Sequence, residues 1–143
     1  MRRRIVTGLN DEGRSVVISD DRPTNVIDEI GWEELWQFDG IPADVSAMVE
    51  IDTFRLSPIP GRIAVRTFTV FPISSPANHS YERMDYTETE ELPAPNSPWM
   101  HRTPTVDVIV VISGTMDLLL DEGEALQLQP GDSVVQRGTM HAW

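Results

Sequence analysis

The chain has 143 residues, a net charge of -12 from 23 acidic against 11 basic side chains, and no cysteine. That length suits one domain, and the missing cysteine excludes disulfides, thiolate catalysis and thiolate metal ligands, which leaves His, Asp and Glu as the common ligands. Every basic residue is Arg, and the only basic cluster, Arg2-Arg3-Arg4, is too small to track a phosphate backbone, so nucleic acid is not an expected partner.

Ile5 to Asn10 is too short and too polar for the apolar segment of a signal peptide, and no apolar run approaches the roughly 18 residues that cross a bilayer. A cytoplasmic protein with no membrane partner is expected. Arg4 to Thr7 and Arg14 to Ser19 are β-branched runs on either side of Asn10-Asp11-Glu12-Gly13, a composition that suits a hairpin turn. Trp32 and Trp36 stand four apart, which allows either one helical turn or a half-buried surface segment. Between Arg62 and Phe71 apolar residues fall on both parities, so both faces of a strand are expected to be covered.

Pro72 to Pro98 carries five prolines and an acidic patch, Glu82 through Glu91, with no period. A loop of this length is either disordered or a lid over a site, and the patch by itself reads as solvated. Then come Val106 to Ser113, Thr115 to Leu120, Ala125 to Leu128 and Ser133 to Gln136, separated by Gly114, Asp121-Glu122-Gly123 and Pro130-Gly131. Closely spaced short strands with Gly turns predict an all-β barrel or double-sheet jelly roll. The expected organisation is a single domain over 1–143, with N-terminal strands and an irregular arm over 1–60 and a barrel section over 61–143 that contains the long loop 72–98.

Three histidines are present, at 79, 101 and 141. His79 lies in the Pro-rich loop and reads as a solvated surface residue. His101 precedes a strand, Asp107 begins it, and His141 follows the last predicted strand after Gly138. Two imidazoles and a carboxylate on one face of an ion, with other positions open, suit non-haem iron and related sites; the competing reading is two histidines in ordinary hydrogen bonds. On an extended segment His101, Thr103 and Asp107 share one side, although Pro104 interrupts the register. Asp107 alternatively binds backbone N–H groups in a turn. Arg102 and Arg137 each neighbour a ligand candidate and suit a substrate carboxylate, but alternation turns both away from that face and towards salt bridges. Trp99 and Trp143 either wall an apolar pocket or belong to the core. Asp132 is expected to stabilise the turn after Pro130-Gly131.

His101-Arg102-Thr103-Pro104-Thr105-Val106-Asp107, followed by Gly114 after six intervening residues, resembles the first motif of the cupin superfamily. That motif reads His, any residue, His, three or four residues, Glu, six residues, Gly. Thr103 stands in place of the second His and Asp107 in place of Glu. Pro130-Gly131 through Gln136-Arg137-Gly138-Thr139-Met140-His141 is similar to the second motif, with Gln136 roughly where Pro lies and one residue fewer than the common spacing. The resemblance covers 101–143 and extends to small single-domain cupins. It implies a cupin-like jelly-roll β-barrel, incomplete at the C-terminus because family strands continue past the second-motif His whereas this chain stops at Trp143. It also implies a homodimer, and a divalent metal (Fe, Mn, Ni or Zn) on His101, Asp107 and His141, with Thr103, Trp99, Arg102, Arg137 and Trp143 around the pocket.

The function expected first is a metal-dependent enzyme acting on a small aromatic or polyketide-like carbonyl compound by lyase, isomerase, cyclase or decarboxylase chemistry. Asp107 and His141 would be its catalytic groups, and the metal would polarise the carbonyl. A non-haem iron dioxygenase and a metal-free, non-catalytic binding barrel are the alternatives; Thr103 in place of a histidine ligand favours the last. No Gly-X-Ser-X-Gly elbow and no phosphate-binding Gly-rich motif occur.

Overall fold

The computed structural model describes residues 3–28, 31–47, 55, 57–72, 74–75 and 100–143. The chain divides into two compact units, Met1–Glu82 and Arg83–Trp143. Both are built from antiparallel strands, and no helix among the described residues is long and apolar enough to cross a membrane. The fold class is therefore all-β, as the cupin-like reading expects. The described sheets are open and have two or three strands each, so they do not close a barrel.

In the first unit β1 (Arg4–Leu9) and β2 (Ser15–Asp21) form the hairpin expected from the sequence. Asn10 makes its turn. The Oδ1 atom accepts from the backbone N–H groups of Glu12 and Arg14 at 3.0 and 2.9 Å, while Gly13 takes the left-handed φ of 72° that this turn requires.

The second sheet of this unit runs β3 (Val26–Ile27), β4 (Trp32–Asp39), β5 (Arg62–Thr67). Trp32 to Trp36 is thus strand, and the helical-turn alternative is wrong. The spacing of four between the tryptophans was the weaker signal. Trp32 and Glu34, two apart, are the buried residues of this stretch, and Glu34 lies directly opposite Arg66. A register shift between Glu34 and Trp36 then changes the parity of the rest of β4. The expectation that β5 is covered on both faces fails as well: Ile63 and Val65 are exposed, and the more enclosed positions are Ala64 and Arg66.

In the second unit β6 (Val106–Val110) pairs with β9 (Ser133–Arg137), and β7 (Met116–Leu120) lies between β8 (Leu126–Leu128) and β10 (His141–Ala142). Alternation sorts β6: Asp107 and Ile109 turn inward, while Val106, Val108 and Val110 are exposed together with Val135 of β9. Val111, Leu118 and Leu128 form one buried cluster, packed by Met116, Val134 and Trp143; Met100, Met140 and Ala142 form another with Leu119. Removing a side chain such as Leu118 from a cluster of this kind costs about 2–5 kcal/mol. Asp132 fixes the turn before β9, accepting from the Gln129 N–H at 2.7 Å, as the sequence suggested.

Candidate functional site

His101 and His141 are brought together by the backbone. Each donates its N–H to the other's carbonyl, at 3.0 and 2.9 Å, in an isolated antiparallel bridge. Residues directly opposed in such a pair put their side chains on the same face. The two imidazoles accordingly lie with ring centroids 4.5 Å apart, tilted by 49°. On its other side β10 pairs with β7, His141 facing Leu120. Trp143 meets the His141 ring edge-on at 5.3 Å and also packs on the Val111, Leu118 and Leu128 cluster, as the core reading expects.

Asp107 enters from β6, directly opposite Gln136 of β9 on the inward face. Gln136 and His141 are each 3% exposed. The Gln136 Nε2 donates to the Thr139 carbonyl at 2.7 Å and lies 2.9 Å from His141 Nδ1, while its Oε1 accepts from the Thr139 hydroxyl at 2.6 Å. His141 Nδ1 is also 3.0 Å from the Thr139 carbonyl. Burial pushes the His141 imidazole below its ordinary value. The Thr139 carbonyl opposes that shift, nearby His101 adds to it, and the charge of Asp107 opposes it.

Thr103 is buried, and its hydroxyl is engaged with that of Thr105 at 2.7 Å. Arg102 and Arg137 are exposed, Arg137 on the outer face opposite Val106. Trp99 and His79 lie outside the described residues. Gln136 and Thr139 were not singled out as functional from sequence. Their signal was the departure from the second-motif proline at 136, which places a hydrogen-bonding amide five residues before His141.

Among the described residues no three His, Asp or Glu side chains lie together as a ligand set for an ion. The imidazoles are in contact, whereas Asp107 reaches His141 only through its charge. As arranged, these described donors do not form a coordination sphere.

No family model matches the chain. It is 54% identical over 44 residues to the Phomopsin biosynthesis cluster protein C' of Diaporthe leptostromiformis, a stretch that is 31% of the chain and 23% of that protein. It is 50% identical over 46 residues to the Oryzines biosynthesis cluster protein J of Aspergillus oryzae, 32% of the chain and 26% of that protein. It is 45% identical over 51 residues to the Cupin-domain-containing oxidoreductase fogC of Aspergillus ruber, 36% of the chain and 25% of that protein. The chain thus spans about a quarter of the length of the curated relatives it matches. Over that shared part it is related to cupin-domain oxidoreductases and to proteins of biosynthesis clusters.

Proposed function

We propose that the chain is a cupin-type enzyme of secondary metabolism that acts on a small organic carbonyl compound at the His101–His141 pair. The observation that carries this reading is the pair itself. Two imidazoles, one of them almost fully enclosed, are held in contact at a 49° tilt by reciprocal backbone hydrogen bonds, with a carboxylate close enough to act on His141 electrostatically. In an enclosed site a neutral imidazole beside a carboxylate suits proton transfer next to a carbonyl. Asp107 takes the proton from the carbon adjoining the carbonyl, and His141 faces the oxygen on which charge develops. Relatives named as biosynthesis cluster proteins support secondary metabolism as the setting.

A second reading, oxygen-dependent oxidation of the kind a non-haem iron dioxygenase performs, is favoured by the relatives named oxidoreductases. Turnover of a panel of aromatic and polyketide-like carbonyl compounds, in air and under nitrogen, tests both. Conversion in both atmospheres that is lost in His101→Ala and His141→Ala supports proton-transfer chemistry. Conversion only in air, with near-stoichiometric iron in the purified protein, moves the assignment to the oxygenase, and undiminished conversion in both variants removes the site altogether. The homodimer is likewise a proposal, supported by the exposed Val106, Val108, Val110 and Val135.

A further inference from the structure

Gln136, Thr139 and His141 form a closed triangle of polar contacts, and the inventory of donors within it is restrictive. A carbonyl oxygen only accepts, so the Gln136 atom 2.7 Å from the Thr139 carbonyl is the amide nitrogen. The opposite end agrees, because Oε1 is then the acceptor for the Thr139 hydroxyl at 2.6 Å. That nitrogen carries two hydrogens and serves only as a donor. One goes to Thr139; the other faces His141 Nδ1 at 2.9 Å.

With a proton on Nδ1, two donors would oppose each other and one N–H of the buried amide would lack an acceptor. With Nδ1 bare, both amide hydrogens are used. The cost is then that Nδ1 and the Thr139 carbonyl oxygen, to which a proton on Nδ1 would be donated, face each other as acceptors at 3.0 Å, although that oxygen already accepts from the Gln136 amide. Buried carbonyls short of a second donor are tolerated better than buried N–H groups without an acceptor.

We propose that Gln136 holds neutral His141 in the tautomer that carries its proton on Nε2, so that the ring presents an N–H donor whose ligand is an acceptor oxygen of carbonyl or enolate type. Gln136 is a positioning residue in this scheme. The inference rests on His141 being the site residue, and it narrows the substrate class: the group that docks on His141 is an oxygen with a lone pair, not a donor-only group such as an ammonium. No group among the described residues takes the Nε2 hydrogen, which leaves it for that oxygen.

The test is spectroscopic and does not read activity. In isotope-labelled protein, at a pH well above the ordinary histidine range, a long-range proton–nitrogen correlation of the imidazoles reports each ring nitrogen, and His141 is identified by its loss in His141→Asn. The expected wild-type result is a pyrrole-type shift at Nε2 and a pyridine-type shift at Nδ1. In Gln136→Glu the new carboxylate accepts from Nδ1–H, and the two shifts exchange. A wild-type ring with its proton on Nδ1 overturns the proposal. So does a Gln136→Glu protein with unchanged ring shifts whose Gly138 and Thr139 amides stay close to wild type. If Gln136→Glu does not fold, the wild-type spectrum decides alone. Should His141→Ala retain turnover while the Nε2–H tautomer is found, the functional reading fails and the tautomer assignment stands.

Discussion

Arg66 reaches Glu34 from directly across the sheet, its Nε donating to Oε1 at 2.9 Å while its guanidinium lies 4.6 Å above the centre of the Trp32 ring. Trp32 Nε1 donates to the same oxygen at 3.1 Å, and the second oxygen, Oε2, is buried with no hydrogen-bond partner among the described residues. A carboxylate enclosed in this way is stabilised on one side only. Burial pushes its pKa above the ordinary 4.5, and Arg66 and the Trp32 hydrogen bond, which both lower it, do not overcome that.

The pH dependence follows from the direction of this shift. A carboxyl whose pKa is raised on folding contributes stability that is fully present below 4.5 and is lost as pH rises through the folded value. Glu34→Gln removes the titration and keeps an oxygen for Trp32. The difference in denaturant midpoint between this variant and the wild type is expected to shift in favour of Gln as pH rises from 4.5. A difference that stays constant with pH counts against the enclosed carboxylate.

Truncation has the opposite effect. Glu34→Ala leaves the largely buried Arg66 guanidinium and the Trp32 N–H without their shared acceptor, and breaking a buried pair from one side costs about 3–5 kcal/mol. Tryptophan-fluorescence unfolding of this variant measures the loss directly. A cost below about 1 kcal/mol would mean that the pair behaves as a surface salt bridge.

Much of this was legible in the sequence, and the rest was hidden for identifiable reasons. The β1–β2 hairpin was readable because Asn10 and Gly13 are turn-specific residues, and β6 to β9 because Gly114, Gly123 and Pro130-Gly131 punctuate short apolar runs. His101 and His141 were found through motif spacing. The Glu34–Arg66 pair was not, since 32 residues separate the partners and only strand register reveals them as neighbours. Gln136 escaped for a related reason: its role depends on the Gly138 turn folding Thr139 and His141 back onto its amide.

His141 has the opposite linkage to Glu34. Its folded pKa lies below the ordinary 6.5, so the stability it contributes is present above 6.5 and is lost as pH falls through the folded value. His141→Asn is expected to flatten the acid limb of the stability profile in that window. An unchanged acid limb would show that the ring is as solvated in the folded protein as in the unfolded chain.

Turnover is expected to fall by about 100- to 1,000-fold in His141→Ala, the range typical for loss of one hydrogen-bond donor to a developing oxyanion, with the circular dichroism of the β structure preserved. A fall of less than about tenfold would assign the ring a packing role beside Trp143.

Gly138 tests the turn that carries the Gln136 contacts. It holds a φ of 60°, and a Cβ there would come within 3.4 Å of the Thr103 carbonyl. Gly138→Ala is expected to cost about 1–2 kcal/mol through the left-handed backbone alone, and to reduce turnover by disturbing the hold of Gln136 on Thr139. Unfolding and turnover measured on the same preparation separate the two effects.

The imidazole of His141 sits on a strand of two residues whose backbone is hydrogen-bonded to His101 on one side and paired with β7 on the other. Neither neighbour can be abandoned without breaking main-chain bonds, so the backbone that carries the ring is fixed from both sides. The ring is left with side-chain rotation alone to meet whatever docks on it. Exchange of the His141 amide proton with solvent would therefore track the opening of the surrounding ladder, giving a clock for how often the site comes apart.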